Sequence, residues 1–172
     1  MLFDGVEYVF TDGAALANGY LNCTSAWGVF FQDRDERNRS GPVEPGPQSN
    51  QVAELMAVSE ALKTIPAHDH TSTVIVSDSK YVIDCLTKWC RQWEKNGWKT
   101  TKGESVKHLS LIQSCLELLR ERRNITFYRV NSHQREPRPK GGLPWILWYG
   151  NAQADRLARS AVAKGKSMTV TW

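Results

Sequence analysis

Four acidic residues lie at the ends of predicted elements, where their side chains can gather around an ion. Asp12 follows an apolar run ending in YVFT, and Asp78 follows the run TVIVS. If these runs are neighbouring parallel strands, both carboxylates lie at one edge of the sheet. Glu54 and Asp155 fall in the first turns of two predicted helices, where negative charge is favoured. We therefore expect the four carboxylates to converge in one cleft.

Such a cluster needs a compensating cation, because carboxylates a few ångströms apart cannot all stay ionised. Oxygen ligands favour Mg²⁺ or Mn²⁺ over zinc or copper. Two such ions about 4 Å apart, bridged by a carboxylate, would hold the attacking and leaving oxygens of an in-line phosphoryl displacement. Any one of these acids alone is more often a surface charge or a helix cap, so the prediction depends on all four together.

The elements that position these acids alternate between strands and helices. The predicted strands are 6–10, 26–31, 73–77 and 125–130, and the predicted helices are 50–65, 79–95, 105–122 and 151–164. The link 13–22 carries Gly and Asn, which predicts an antiparallel pairing of the first two strands. Residues 33–49 are polar and broken by prolines, which indicates a loop or at most an edge strand. The order predicts an α/β protein with a mixed sheet flanked by helices.

The charge is unevenly distributed along the chain. The net charge is only +4, yet residues 80–108 hold seven Lys or Arg against three acids, and residues 120–140 hold seven against two. The remaining residues are therefore acidic on balance. This asymmetry is typical of a protein that binds a polyanion on one side, although either basic run could also be a solvated helix face.

Composition argues against several classes of protein. The apolar stretches are far shorter than the roughly 20 residues that cross a bilayer, so no membrane span is expected. The four cysteines show no C-x-x-C spacing, and with the histidines they form no zinc pattern. Asp4 and Glu7 stand where a secretory signal would be positively charged. We expect an intracellular protein, in the cytoplasm or the nucleus.

Four motifs, taken in order, resemble the acidic motifs of type 1 ribonuclease H. They are Phe10-Thr11-Asp12-Gly13, Asn50-Gln51-Val52-Ala53-Glu54-Leu55, Val76-Ser77-Asp78-Ser79 and Gly150-Asn151-Ala152-Gln153-Ala154-Asp155. The likeness extends from about residue 7 to residue 163. It implies a ribonuclease H-like α/β fold with a mixed five-stranded sheet, and a single domain over residues 1–172.

The resemblance implies an endonuclease that cleaves the RNA strand of RNA–DNA hybrids with two Mg²⁺ ions, leaving 3′-hydroxyl and 5′-phosphate ends. Mn²⁺ would be a substitute. By position, Asp12, Glu54, Asp78 and Asp155 correspond to metal ligands and catalytic residues, with Asp12 bridging the ions. His133 resembles a mobile histidine that assists proton transfer or product release.

Residues that contact the hybrid are implied in the same way. Asn18, Asn50 and Gln51 resemble side chains that contact RNA 2′-hydroxyls and bases across the minor groove. Ser49 matches part of a DNA phosphate pocket, and His108 stands in that pocket where the family has asparagine. Pro47 replaces the arginine partner, so this pocket departs from the family pattern.

Residues 80–108 resemble the basic protrusion of cellular and some retroelement enzymes. Tyr81, Trp89 and Trp93 lie at helical spacing and could line one groove, with Lys95, Lys99 and Thr101 beside it. Aromatic faces stack on sugars or bases, and lysines neutralise phosphates. The tryptophans, Trp98 above all, could instead belong to the core.

Residues 134–150 form an extended loop, because His133 and Asp155 lie 22 positions apart and the family spacing is usually shorter. The loop combines basic residues with the apolar run Leu143 to Tyr149. Such a run either docks on a partner or packs back on its own domain. Some retroelement enzymes have a lengthened loop here, so a partner could be a polymerase domain of the same polyprotein, in a virion or retroelement particle.

Two other functions on the same fold remain open. One is a non-catalytic nucleic-acid-binding or connection module of a reverse transcriptase, which the presence of all four acids disfavours. The other is a nuclease or integrase acting on DNA, since fold analogy alone does not decide the substrate. As an isolated domain the chain is expected to be monomeric. Residues 165–172 are expected to be a C-terminal tail.

Overall fold

The computed structural model describes residues 1–44, 46–68 and 70–168, with the side chains of the last helix described up to residue 164. One mixed sheet contains β1 (Leu2–Phe3), β2 (Val6–Leu16), β3 (Thr24–Phe30), β4 (Arg39–Pro42), β5 (Thr73–Ser77) and β6 (Ile125–Arg129). The predicted mixed sheet with flanking helices is confirmed. It has six strands rather than five, because the two-residue β1 pairs with the start of β2.

The order of the sheet is β4-β3-β2-β5-β6, with β1 beside β2. Strands β2, β5 and β6 are parallel to one another. Strands β3 and β4 pair in antiparallel fashion beyond β2. The carboxyl ends of β5 and β6 therefore lie at the same edge as the middle of the longer β2, where the first acidic motif stands.

The helices are α1 (Asn50–Thr64), α2 (Lys80–Asp84), α3 (Cys90–Lys95), α4 (Leu109–Arg120) and α5 (Leu143–Met168). A π-helical turn, Cys85–Trp89, joins α2 to α3. Helix α1 begins after Ser49, whose hydroxyl accepts a hydrogen bond from the backbone N–H of Val52 at 3.2 Å. It ends before Pro66, which cannot continue a helix.

Alternating residues of the strands build a core on each face of the sheet. Val9 and Ile75 face one side, where α1, α2 and α4 cover them. Their neighbours Phe10 and Val76 face the other side, where α5 packs. This alternation follows from the two-residue period of a strand. Both faces are covered, which explains why the run TVIVS is apolar throughout.

Three predicted boundaries were wrong because tertiary pairing outweighed local signals. The link 13–22 is strand as far as Leu16, since its first residues pair with the start of β3. Helix α4 begins at Leu109 rather than 105, because the segment before it turns back on the protrusion, where the N–H of Val106 donates to the carbonyl of Trp98. Helix α5 begins at Leu143 rather than 151.

The predicted tail 165–172 starts inside α5, which continues to Met168, and residues 169–172 lie outside the described residues. In the described part of the chain, no helix is long and apolar enough to span a bilayer. The four cysteines are free and buried.

Candidate active site

The register of the parallel strands brings Asp12 and Asp78 to the same level. Phe10 pairs with Val76 across β2 and β5, and each aspartate stands two residues further along its chain. Asp12 lies within β2 and is buried, whereas Asp78 lies just past the end of β5 and is half-buried. The expected proximity of these carboxylates is therefore a direct result of strand pairing.

A glycine allows α1 to bring Glu54 against Asp12. A Cβ at Gly13 would lie 2.4 Å from the backbone nitrogen of Glu54, a distance that real side chains do not adopt. The bare backbone of β2 therefore lets the helix pack directly on the strand. Glu54 is buried in the second turn of α1, and a side-chain hydrogen bond joins it to Asp12.

A second glycine brings α5 onto β3. A Cβ at Gly28 would lie 2.5 Å from the carbonyl oxygen of Ala154, the residue before Asp155. Asp155 lies in the middle of α5, not in the first turn of a helix as predicted, because α5 starts 12 positions earlier. Its carboxylate accepts a hydrogen bond from Nε of Arg159 at 2.7 Å.

Three of the four carboxylates form a tight group. Asp12, Glu54 and Asp78 each offer an oxygen, and these oxygens all lie within 4.8 Å of one another. Burial, together with the charges of Asp78 and Asp155, raises the pKa of Asp12 to about 8. Burial and the charge of Asp12 hold the pKa of Glu54 well above its ordinary value. The group strongly disfavours full ionisation in the metal-free protein.

The donor set fits a hard divalent cation. Oε2 of Glu54 is buried and has no hydrogen-bond partner, so it is free to ligate. All the charged donors are carboxylates, which suit Mg²⁺ or Mn²⁺. A cation would remove the repulsion that raises the pKa values of this group.

Asp78 is held by two residues from other elements. Burial and the charge of Asp155 raise its pKa, while the nearby positive charge of His133 and a hydrogen bond from the Asn151 side chain act in the opposite direction. Oδ1 of Asn151 is buried without a partner. Sequence reasoning did not assign Asn151 or Arg159 a role, although Asn151 stands in the quoted Gly-Asn motif and Arg159 lies one helical turn after Asp155.

All four acids and His133 line a single cleft of about 840 Å³. One wall is the end of β6 and the loop that carries His133, and the other side includes Asn50. His133 is exposed and has a positive φ of 56°. The cleft is open to a large substrate on one side of the molecule.

Of the residues expected to contact the hybrid, Asn18 and Asn50 are in direct contact. Oδ1 of Asn18, in the link between β2 and β3, accepts a hydrogen bond from the backbone N–H of Asn50 at 3.1 Å. Gln51 follows in the first turn of α1 and is half-buried. Ser49 uses its hydroxyl to cap α1. His108 precedes α4, and its Nε2 is buried without a partner.

The protrusion carries a chain of aromatic contacts. Tyr81 and Trp89 have ring centroids 6.1 Å apart, Trp89 and Trp93 5.8 Å, and Trp93 and Trp98 6.2 Å. Tyr81, Trp93 and Trp98 pack partly on the main core, whereas Trp89 is 40% exposed. Trp93 and Trp98 therefore belong partly to the core, and contact of Trp89 with nucleic acid stays a prediction. Lys95, Lys99 and Thr101 are exposed nearby in sequence.

The apolar run of the extended loop packs on its own domain. Residues from Leu143 onward are helical, and Ile146 is buried with Phe10 and Phe30. Tyr149 meets the ring of Phe30 edge-on and donates a hydrogen bond to Asp33 at 2.8 Å. The expectation of a loop through residue 150 was therefore wrong for its second half, because this core contact stabilises helix.

Comparison with known proteins places the chain in a family. The family model of RNase H matches residues 4–163. The chain is 35% identical over 158 residues to a ribonuclease H of Schizosaccharomyces pombe, covering 92% of this chain and 53% of that protein. It is 31% identical over 156 residues to a ribonuclease H of Ruthia magnifica, covering 91% of this chain and 94% of that enzyme. The chain thus spans about half the length of the yeast relative.

Solved structures agree. The solution structure of the PFV RNase H domain has a TM-score of 0.69 at 26% identity, covering 92% of this chain and 94% of that one. The foamy viral protease-reverse transcriptase in complex with RNA/DNA hybrid has a TM-score of 0.70 at 24% identity, covering 92% of this chain and 20% of that one, a likeness of fold. With the family model and the curated enzymes, these findings show that the chain belongs to the ribonuclease H family.

Proposed function

We propose that this chain hydrolyses the RNA strand of RNA–DNA hybrids with two divalent cations, Mg²⁺ or in its place Mn²⁺. The observation that carries the proposal is the carboxylate group of Asp12, Glu54 and Asp78, with oxygens within 4.8 Å, in a cleft shared with Asp155. Membership of the ribonuclease H family supports the choice of substrate.

The acids would hold the metals. The pKa of Asp12 responds to Glu54, Asp78 and Asp155, which supports the proposal that it bridges the cations. When bound, the cations would polarise a water molecule and neutralise charge on the leaving 3′-oxygen, so that 3′-hydroxyl and 5′-phosphate ends result. Asn151 keeps Asp78 oriented through its side-chain hydrogen bond.

We propose that His133, which lines the cleft, transfers protons during the reaction. It lies close enough to Asp78 for its positive charge to lower the pKa of that carboxyl. An exposed imidazole beside the reacting phosphate can act as a general acid or base. We assign it proton transfer or assistance to product release.

The hybrid would lie across the cleft and the protrusion. Asn18 and Asn50, joined by a hydrogen bond at 3.1 Å, and Gln51 would contact the minor groove, where the 2′-hydroxyl distinguishes RNA from DNA. The exposed ring of Trp89 offers a stacking surface, and the tyrosine and tryptophan behind it keep it in place. Lysines of the protrusion would neutralise phosphates.

We propose that the pocket for a DNA phosphate is present but binds the phosphate weakly. Among the residues that the structure describes, none forms a hydrogen bond with Nε2 of His108, so this atom remains available to an incoming phosphate oxygen. Burial and the charge of Lys107 lower the pKa of His108, so the imidazole is neutral at neutral pH. A neutral His108 would hold a phosphate less strongly than an arginine would.

One assay tests the proposal. Labelled RNA–DNA, RNA–RNA and DNA–DNA duplexes of one sequence are incubated with Mg²⁺, Mn²⁺ or chelator, using the parent chain and Asp78→Asn. We expect cleavage of the RNA strand of the hybrid alone, loss of activity with chelator, and loss of at least 100-fold in the variant, on the order of the several kcal/mol that one ligand contributes. Phosphatase-sensitive 5′ ends on the products check the direction of cleavage.

Each contrary outcome points to a different function. Cleavage of DNA–DNA would indicate a DNA nuclease. Tight binding of hybrid by the parent without cleavage in either metal would indicate a non-catalytic module. Full activity in Asp78→Asn would contradict the metal site itself.

A single ribonuclease H domain with a basic protrusion at 80–108 accounts for the described chain. We further propose that a polymerase domain stands on the same polypeptide, by analogy with the foamy viral protease-reverse transcriptase that this chain resembles in fold. The isolated chain is proposed to be monomeric, which light scattering at two concentrations would check.

A further inference from the structure

Trp148 links helix α5 to the loop that carries His133. Its indole Nε1 donates a hydrogen bond to the backbone carbonyl of Gln134 at 2.9 Å. Gln134 directly follows His133 in the chain. Trp148, Gln134 and His133 all line the cleft that contains the acids. The contact therefore fixes the backbone one residue away from the imidazole.

Trp148 lies on the face of α5 that lines the cleft. Trp148, Asn151, Asp155 and Arg159 follow one another at intervals of three, four and four residues, which places them on one face of a helix. Asn151 orients Asp78, and Asp155 and Arg159 line the cleft. Trp148 extends this row by one turn toward the amino end of α5, up to the His133 loop.

The extended segment supplies the turn that Trp148 occupies. Helix α5 begins at Leu143, inside the segment 134–150 that lengthens the distance from His133 to Asp155. This turn is held rigidly. Ile146 is buried among Phe10 and Phe30, and the rings of Trp145 and Tyr149 stack at 4.7 Å. A donor on such a turn is a fixed point for the loop.

The loop itself needs a fixed point. Residues 131–136 are exposed, and His133 adopts a left-handed φ that is uncommon for a residue other than glycine. An exposed loop samples many conformations unless a hydrogen bond or packing restrains it. The position of His133 near Asp78 therefore depends on what holds the following peptide.

We propose that Trp148 is a positioning residue for His133. Its indole N–H holds the carbonyl of Gln134, so the imidazole stays over the edge of the cleft beside Asp78. The segment 134–150 lengthens the loop after His133, and the helical turn at its end restrains that loop through Trp148. This inference rests on the proposed role of His133 in hydrolysis.

The test removes the indole donor and keeps a ring. Trp148→Phe is compared with Trp145→Phe, a matched control in the same helix whose indole donates to a side chain of the loop, that of Glu136 at 3.1 Å, and not to the loop backbone. We expect Trp148→Phe to lower kcat about 5-fold, the effect of one lost hydrogen bond, with KM unchanged. The control is expected to keep the kcat of the parent.

A double-mutant cycle with His133→Ala separates positioning from general structure. If Trp148 acts through the histidine, Trp148→Phe has no further effect on kcat in the His133→Ala background. An equal loss in both backgrounds would overturn the inference, as would an unchanged kcat in Trp148→Phe. Trp148→Leu, which also lacks the donor, is expected to behave like the phenylalanine variant and replaces it if that variant does not fold.

A measurement without substrate distinguishes this inference from the proposed activity. Hydrogen exchange followed by mass spectrometry should show faster deuterium uptake over residues 131–136 in Trp148→Phe than in the parent or in Trp145→Phe. Equal uptake in all three would overturn the inference even if the chain cleaves hybrid. If Trp148→Phe takes up deuterium faster than the parent but the parent cleaves no hybrid, the hydrogen bond of Trp148 does restrain the loop. That result would overturn only the proposed function.

Discussion

At the scale of single residues, the carboxylate group is the feature that most constrains the chemistry. Asp12 and Glu54 are buried, hydrogen-bonded to each other and close to a third acid. Such a group destabilises a protein unless a proton or a cation neutralises it. A protein that keeps this arrangement in its core therefore gives up stability for a binding site.

The raised pKa of Asp12 predicts a specific dependence of stability on pH in the metal-free chain. The folded state holds a proton on Asp12 up to about pH 8, whereas the unfolded chain releases it near 3.8. This contribution favours folding at acid pH and is lost as the pH rises from about 4 through 8. In chelator, we expect Asp12→Asn to have a Tm near that of the parent at pH 4 and a higher Tm at pH 8.5.

Thermal unfolding of both proteins across this range checks the prediction. Added Mg²⁺ should raise the Tm of the parent most at the alkaline end, where the carboxylates are ionised and able to bind it, and should raise that of Asp12→Asn less. A difference in Tm between the two proteins that does not change with pH would contradict the raised pKa.

At the scale of elements, the site depends on two close contacts between helix and strand. Helix α1 lies on Gly13 and α5 lies on Gly28, so that neither strand has a side chain where the helix backbone passes. These contacts decide how far Glu54 and Asp155 reach toward the carboxyl edge of the sheet. The spacing of the acids along the chain does not set these distances.

Gly28→Ala is expected to impair the site from a distance. The new methyl group would meet the carbonyl of Ala154 at 2.5 Å, so α5 must move away and carry Asp155 with it. We expect a cost of about 1–3 kcal/mol in the free energy of unfolding and a loss in kcat on the order of 10-fold to 100-fold. Gly142→Ala is the control, because its methyl group would lie 3.7 Å from Pro144.

Chemical denaturation and hybrid cleavage measure the two effects. If Gly28→Ala retained the kcat of the parent despite lower stability, the close packing of α5 on β3 would not determine the placement of Asp155.

The aromatic residues of the protrusion differ in exposure: Trp89 is exposed, whereas Trp93 packs partly on the core. Trp89→Ala is expected to weaken binding of hybrid by about 1–3 kcal/mol, the range for one stacked base, with little change in Tm. Trp93→Ala should lower the Tm as well, since Trp93 packs on the main core. Binding is measured in an Asp78→Asn background so that the hybrid is not cleaved. Unchanged affinity in Trp89→Ala would show that this ring does not meet the nucleic acid.

At the scale of the whole molecule, the two cores on either face of the sheet connect stability with function. The core under α5 joins residues of β2, β3 and β5 to the first turns of that helix. The extended segment is thus part of the fold and not a free arm. Its basic residues, Arg135, Arg138 and Lys140, are exposed beyond the cleft.

Ile146→Ala tests whether this segment supports the domain. Ile146 is 6% exposed, so truncation should cost about 2–4 kcal/mol in the free energy of unfolding. Leu2→Ala is the control, because Leu2 is 68% exposed and should cost little. Urea denaturation of both variants provides the comparison. An Ile146→Ala variant as stable as the parent would favour the alternative, in which the segment docks on a partner.

The fold class and the family were predicted correctly from motif order and hydrophobic pattern, and the assignment of the four acids as metal ligands stays a prediction. Strand runs such as TVIVS and the capped start of α1 at Ser49 are local signals, and the structure follows them closely. The motifs around the acids carry the family resemblance because metal chemistry restricts which residue types can stand there. The mixed sheet followed from the order of the elements.

The contacts that support the site became visible only in the folded protein. The role of Asn151 beside Asp78 and the contact from Trp148 to Gln134 join residues whose spacing in the chain gives no such signal. The pairing of Asp155 with Arg159 has the i,i+4 spacing of a helix and could have been predicted. The start of α5 at Leu143 was likewise missed, because a helix that contains proline and glycine forms there only when its apolar face is buried against the sheet. Side-chain contacts across elements depend on packing distances, and these are fixed only when the chain is folded.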